Sequence, residues 1–257
     1  MSRHQRRAHA SRDRLGTNGR LDLTFLGSGN AFGIEGRAFS SFLLDGRFLF
    51  ECGPTVLQQL KRAHLTSHSV ETVLVSHFHA DHFFGLPFLL LDAWHEGRTA
   101  DLRIVGPRGI GERVEQLLEL AFPATAAMMN YRRVYTEVCD GAQGEIDGLR
   151  YRAAEVVHVP GLECYAYRIE LNGKQLLFSG DTTFCDGLLS LATGADVLIL
   201  ECSCAGEKVH LSPEGVAMVR AAAGPQAETI VTHLDAPERL EGFRGLHIAS
   251  DLASFSF

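Results

Sequence analysis

The sequence predicts an α/β fold in which two β-sheets are covered by helices within one domain. Three observations carry that prediction. Short runs rich in Val, Ile, Leu, Phe and Tyr recur along the chain, helical periodicity appears between them in both halves, and no Pro-rich or low-complexity linker divides the body. At 257 residues the chain exceeds the usual single-domain size, but α/β folds of this length form one domain with a large core.

Taken in order, strands are predicted at 21–26, 41–44, 47–50, 72–76, 102–105, 131–138, 149–158, 164–171, 175–179, 196–200 and 229–232. Helices are predicted at 54–64, 84–95, 109–121 and 212–223, where apolar residues return every three or four positions, as in Val114, Leu117, Leu118 and Leu120. Turn chemistry separates them at Gly27-Ser28-Gly29-Asn30, Asp45-Gly46 and Gly106-Pro107. Asn172-Gly173 between apolar runs signals a hairpin, and Ser212-Pro213 starts a helix. Periodicity does not fix the strand order.

The chain is 46% hydrophobic and 21% charged, as an ordinary globular protein is. No apolar stretch approaches the roughly 20 residues of a membrane span, so a soluble protein without membrane contact is expected. Arg3, Arg6, Arg7, Arg12, Arg14 and Arg20 against Asp13 give residues 1–20 a net charge of +5, which leaves −12 of the formal −7 on residues 21–257. Residues 1–20 read as a disordered basic tail and 21–257 as the folded domain. No apolar segment follows Arg6-Arg7, so an export signal is not expected and the cytoplasm is. The acidic body disfavours a broad polyanion-binding face. Cys52, Cys139, Cys164, Cys185, Cys202 and Cys204 contain no CxxC pair and read as reduced thiols.

After the strand run Thr72-Val73-Leu74-Val75 comes Ser76-His77-Phe78-His79-Ala80-Asp81-His82-Phe83, with three imidazoles and a carboxylate within six residues. Such a cluster makes little sense as packing, because buried imidazoles need hydrogen-bond partners and neighbouring cationic ones repel. Metal coordination resolves both problems. In a loop leaving a strand, His77 and His79 can point to one side while Asp81 and His82 turn away at the start of the next helix, so the run can serve two metals.

The run His77-x-His79-x-Asp81-His82 resembles the HxHxDH motif of the metallo-β-lactamase superfamily. His158 resembles the family's third histidine, Ser179-Gly180-Asp181-Thr182 its bridging-aspartate motif and Val231-Thr232-His233 its final histidine, so the resemblance covers residues 21–257. It implies a four-layer αβ/βα sandwich of two mixed sheets flanked by helices. It also implies one metal on His77, His79 and His158, a second on Asp81, His82 and His233, and Asp181 bridging them. Two divalent cations bridged by a water would lower its pKa from about 15.7 toward about 7. The donor set suits zinc and also accepts manganese, iron or cobalt.

Within the superfamily the chain is most similar to ribonuclease Z and related phosphodiesterases. Phe25-Leu26-Gly27-Ser28-Gly29, Gly36-Arg37-Ala38-Phe39-Ser40-Ser41 and Leu49-Phe50-Glu51-Cys52-Gly53 resemble that branch's first strand, Arg/Ser loop and DCG motif, with Glu51 where Asp is usual. Phe84-Gly85-Leu86-Pro87 and Val105-Gly106-Pro107-Arg108-Gly109 fit the same branch. His210-Leu211-Ser212-Pro213 resembles its extra histidine, which in relatives helps protonate the leaving oxygen, with Glu201 as its candidate partner. Asp81, His210 and Glu201 form the expected catalytic set, and Arg37, Ser40 and Ser41 the expected substrate contacts.

Two departures bear on the substrate. His158 and Asp181 lie 23 residues apart, room for one hairpin, where tRNA-processing members commonly carry an exosite arm. Leu234-Asp235-Ala236-Pro237-Glu238-Arg239 stands where ribonuclease Z typically has Ser-x-Arg-Tyr. Together they favour a small or short phosphodiester over structured tRNA. A homodimer stays open. The alternatives are another ester, thioester, lactone or sulfate on the same metals, or a non-hydrolytic redox or carrier member. Flavin-linked di-iron relatives generally have glutamate where His79 stands.

Overall fold

The computed structural model describes residues 19–204, 208–240 and 244–257, so the expected basic tail falls outside the described residues except for Gly19 and Arg20. The first half runs β1 (Asp22–Gly27), β2 (Ser41–Leu44), β3 (Phe48–Phe50), α1 (Val56–Arg62), β4 (Thr72–Leu74), α2 (Ala80–Phe83), α3 (Leu86–His95), β5 (Leu102–Pro107), α4 (Ile110–Ala121) and β6 (Arg133–Val138). The second runs β7 (Gln143–Ile146), β8 (Leu149–Val156), β9 (Cys164–Leu171), β10 (Lys174–Phe178), α5 (Asp186–Ala192), β11 (Val197–Glu201), α6 (Pro213–Ala223), β12 (Glu228–Thr232), β13 (His247–Ile248) and β14 (Ser254–Ser256). One sheet has the order β14-β1-β2-β3-β4-β5-β6, and the other β13-β12-β11-β10-β9-β8-β7.

Strand periodicity sorts the apolar residues into three cores, and three cores require four layers. Successive side chains point to opposite faces of a sheet. Phe42 and Leu44 of β2 and Phe48 and Phe50 of β3 therefore enter the core between the sheets, with Val197 and Ile199 of β11 facing them. Leu43 and Leu49 point the other way, onto Val56 and Leu60 of α1, Leu89 and Leu90 of α3 and Val114 and Leu118 of α4. Leu198 and Leu200 likewise meet Leu188 of α5 and Val216 and Val219 of α6. Phe178 of β10 closes the central core edge-on against Phe42 and Phe50, at 5.3 and 5.6 Å between ring centres.

The Asn172-Gly173 hairpin forms as the sequence predicts: both residues have positive φ, 53° and 79°, and they join β9 to β10 in antiparallel register. The predicted helix over 84–95 forms as α3 from Leu86, and the short α2 that precedes it is separated from it at Gly85, whose N–H donates to the Cys52 carbonyl at 2.7 Å. The predicted strand over 149–158 stops at Val156, which leaves His158 in the following loop. No helix among the described residues is long and apolar enough to cross a membrane.

β3, β4 and β5 run parallel, as do β10, β11 and β12, so their C-terminal ends gather at one edge of the sandwich. Ligand sites of α/β sheets form at such edges, where connecting loops are free of the ladders. The C-terminal segment braces this edge. Asp251 accepts from the Ser28 N–H and hydroxyl, the Ala38 N–H and the Gln59 side chain, which fixes the loop between β1 and β2.

Candidate metal centre

All of these strand ends except that of β5 deliver one or more polar side chains, and β8 adds another. Glu51 follows β3, and His77, His79, Asp81 and His82 follow β4. His158 lies beyond β8, Asp181 beyond β10, Glu201 ends β11 and His233 follows β12. The loop after β4 reaches its shape by an unusually close backbone crossing. A Cβ on Gly53 would sit 1.8 Å from the Asp81 carbonyl oxygen, and one on Gly85 would sit 2.0 Å from that of Gly53. Only glycine permits that approach. Glu51 and His233 both hold left-handed backbone, φ 63° and 56°, a strain that clusters at functional sites.

Asp181 is the hub. Its Oδ2 lies 3.3 Å from His82 Nε2, 3.2 Å from His233 Nε2 and 3.9 Å from the Nε2 atoms of His77 and His158. Asp81 Oδ2 lies 3.2 Å from His82 Nε2 and 3.4 Å from His233 Nε2. His158 Nε2 and His79 Nδ1 stand 3.3 Å apart. Two groups of ligand-type atoms result, His77, His79, His158 and Asp181 in one and Asp81, His82 and His233 in the other, and a third, overlapping set joins Asp181 and His233 to His210. The edge of a tetrahedron with metal–nitrogen bonds of about 2.0–2.1 Å is about 3.3–3.4 Å. The edges among Asp81, His82, His233 and Asp181 lie close to that value, while those from Asp181 to His77 and His158 are wider.

The surrounding groups turn the imidazoles toward the centre. The Val209 carbonyl accepts from His158 Nδ1 at 2.7 Å, so that nitrogen carries the proton and Nε2 is left with its lone pair facing inward. Ser76 Oγ pairs with His77 Nδ1 at 2.8 Å. Behind His82, Nδ1 faces Glu51 Oε2 at 3.5 Å, a contact too poorly aligned for a hydrogen bond, while Glu51 Oε1 accepts from the Ser76 N–H. His77 Nε2 and His82 Nε2 are buried with no hydrogen-bond partner, which is costly unless a cation takes their lone pairs.

The electrostatics ask for positive charge at the same point. Burial works against the Asp81 and Asp181 carboxylates, yet the imidazoles of His233 and His82 outweigh it and hold both below the usual carboxylate range. Burial also disfavours charge on His82 and His233, but Asp181 and Asp81 outweigh it and raise both. On His77, His79 and His158 burial prevails and pulls each down, the neutral form a metal needs. The residues thus fit divalent cations. Beside them, His210 Nδ1 donates to the Glu201 carboxylate at 2.9 and 3.0 Å, and burial pushes Glu201 up to about 7.

The structure brings together all seven expected metal ligands and the His210–Glu201 pair. The expected substrate contacts are placed differently. Ser40 and Ser41 are buried, with the Ser40 hydroxyl 3.0 Å from that of Thr232 and the Ser41 hydroxyl donating to the Phe39 carbonyl. Arg37 donates to Ser28 Oγ and the Ala249 carbonyl. The Ser40 contact braces Thr232, the residue before His233. Sequence reasoning missed the support of His82 by Glu51 and the orientation of His158 by Val209. The DCG-like motif was a signal for the first, whereas a backbone carbonyl leaves none.

Residues 46–234 match the profile of the Beta-lactamase superfamily domain. The chain is similar to the ribonuclease Z of Listeria innocua, 31% identical over 174 residues that make up 65% of this chain and 55% of that protein, so it spans about half of that relative's length. Among solved structures it is similar to YhfI of Bacillus subtilis, a metallo-beta-lactamase fold protein, with a TM-score of 0.75 and 20% identity over 93% of this chain and all of that one. The short form of human tRNase Z gives a TM-score of 0.73 and 22% identity over 91% of this chain and 98% of that one. The chain belongs to the β-lactamase superfamily, with the four-layer sandwich of that fold.

Proposed function

We propose that this member of the superfamily is a metal-dependent hydrolase of small or short phosphodiesters, working with two divalent ions, zinc foremost, with manganese and iron as the alternatives. The observation that carries the reading is the position of Asp181, one carboxylate oxygen shared by the imidazoles of both ligand groups. The ions, when bound, supply water activation and stabilise negative charge on the attacked group. The relative's name, ribonuclease Z, supports phosphodiester cleavage as the class.

His210 holds a proton at the edge of this centre. Its Nδ1 is engaged by Glu201, which orients the ring so that Nε2 can protonate a departing alkoxide. Asp81 closes the second ligand group and steers His233. A substrate of limited size is supported by the two-residue β9–β10 connection and by the net charge of −12 left on residues 21–257 once the basic first twenty are set aside.

The test loads the protein with zinc or manganese and compares bis(p-nitrophenyl) phosphate with p-nitrophenyl acetate and p-nitrophenyl sulfate. Phosphodiester turnover should exceed the other two by orders of magnitude. A preference for the acetate or sulfate would overturn the substrate class, and efficient, salt-sensitive cleavage of precursor tRNA would overturn the size limit. His210→Ala should slow esters with alkoxide leaving groups by roughly 10²–10⁴-fold and p-nitrophenyl esters far less, because phenolate departs without a proton.

A further inference from the structure

The metal centre grips a phosphoryl group but does not select what the phosphate is attached to, so selection falls to the rim. Four of the eight exposed large apolar side chains among the described residues belong to segments that adjoin the ligands in sequence or in strand pairing: Phe32 at 75% exposure, Ile34 at 37%, Phe84 at 45% and Val157 at 58%. Val157 precedes His158, Phe84 lies two residues after His82, and Phe32 lies three residues beyond Gly29, which pairs with Leu234, the neighbour of His233. At no more than about 3.6 Å of chain per residue, Phe32 stays within roughly 11 Å of that pairing point.

Phe32 is held outward by its backbone. Asn30 Oδ1 accepts from the Phe32 N–H at 3.1 Å, and the Asn30 carbonyl accepts from the Gly33 N–H at 3.1 Å, with Gly33 in the left-handed region. The loop's base is tied to Ala38 and to Asp251. An exposed ring on a turn fixed at this many points is preorganised and loses little freedom when a flat partner settles on it.

We propose that Phe32 is the specificity-determining residue of the site, a shelf on which a planar aromatic ring of the substrate's retained alcohol stacks while its phosphate sits at the metal centre. This rests on the phosphodiesterase reading. An apolar rim of this kind favours an uncharged flat ring over a further phosphate. Ile34 borders the shelf on the same loop.

Three diesters with one leaving group test it: methyl, phenyl and thymidine 5′-(p-nitrophenyl) phosphate. The intact enzyme should prefer the ring-bearing esters by kcat/KM, and Phe32→Ala should lower their kcat/KM about tenfold while leaving the methyl ester within about twofold. Loss on the thymidine ester alone identifies a nucleobase as the partner, and loss on both identifies any aryl ring. Equal loss on all three, or none, overturns the proposal. A second arm needs no turnover. Phe32→Trp should show saturable fluorescence quenching by thymidine 5′-monophosphate that the wild type, with Trp94 on α3, does not show. If no diester is hydrolysed, the phosphodiesterase reading fails while the quenching arm still decides for or against Phe32.

Discussion

The two sheets supply the metal centre in different ways. The first contributes His77, His79, Asp81 and His82 as one run between β4 and α3, so their placement depends on the conformation of one loop, locked where Gly53 and Gly85 let the backbones cross. The second contributes His158, Asp181 and His233 singly, from the ends of β8, β10 and β12, so their placement depends on the register of a whole sheet. A local motif concentrates the ligands, and a distributed set is held by long-range packing. Asp181 joins the two, because it belongs to the second sheet yet lies 3.3 Å from His82 of the first.

The sharpest way to break this arrangement is at the joint. Asp181→Ala should empty both ligand groups, measured as metal content by mass spectrometry, and lower hydrolysis by more than about 100-fold. His77→Ala, on the loop side, should vacate mainly the group it belongs to. Full activity in a metal-free Asp181→Ala protein would sink the mechanism.

The same contrast decides what could be read from the sequence. His77 to His82 were legible from spacing alone, because three imidazoles in six residues have no packing rationale. His158, Asp181 and His233 were legible only through the resemblance, since one polar residue at a strand end carries no pattern. The strand runs were legible by their alternation, but their order was not, and the order is what brings those three together. β7 was missed because Gln143, Gly144 and Glu145 form a polar edge strand, and β13 and β14 because two or three residues are too short to show a period. Ser40 is buried against Thr232, 192 residues away in sequence, a contact that no local pattern announces.

A smaller effect sharpens the loop side. Glu51→Gln keeps the volume and the carbonyl that accepts from Ser76 but removes the ionisable carboxyl facing His82 Nδ1. Metal affinity should weaken by roughly 10–100-fold, as is usual when the group behind a ligating histidine is altered, with circular dichroism unchanged. Unaltered affinity would show that Glu51 serves only the backbone of Ser76.

The smallest effect concerns stability and charge in the metal-free protein. His82 and His233 have folded pKa values raised above the ordinary histidine value by Asp181 and Asp81. A raised value contributes stability that is complete below about pH 6.5 and is lost as pH rises through the folded pKa. Of the other site groups, His77, His79 and His158 are lowered and stay neutral on the alkaline side in both states, the carboxylates of Asp81 and Asp181, also lowered, are fully ionised, and Glu51, raised by burial, acts in the same direction as the two histidines. Glu201, pushed up to about 7, has finished titrating by about pH 8. The metal-stripped protein should therefore lose melting temperature as pH rises above about 8, relative to the metal-loaded protein, in which the cations replace those protons. Buried thiols such as Cys164 destabilise both forms alike over this range and cancel in the difference. Parallel melting curves with and without metal would mean that the carboxylates of the two sheets do not share a positive charge at this point, and Asp181 would lose its place as the joint between them.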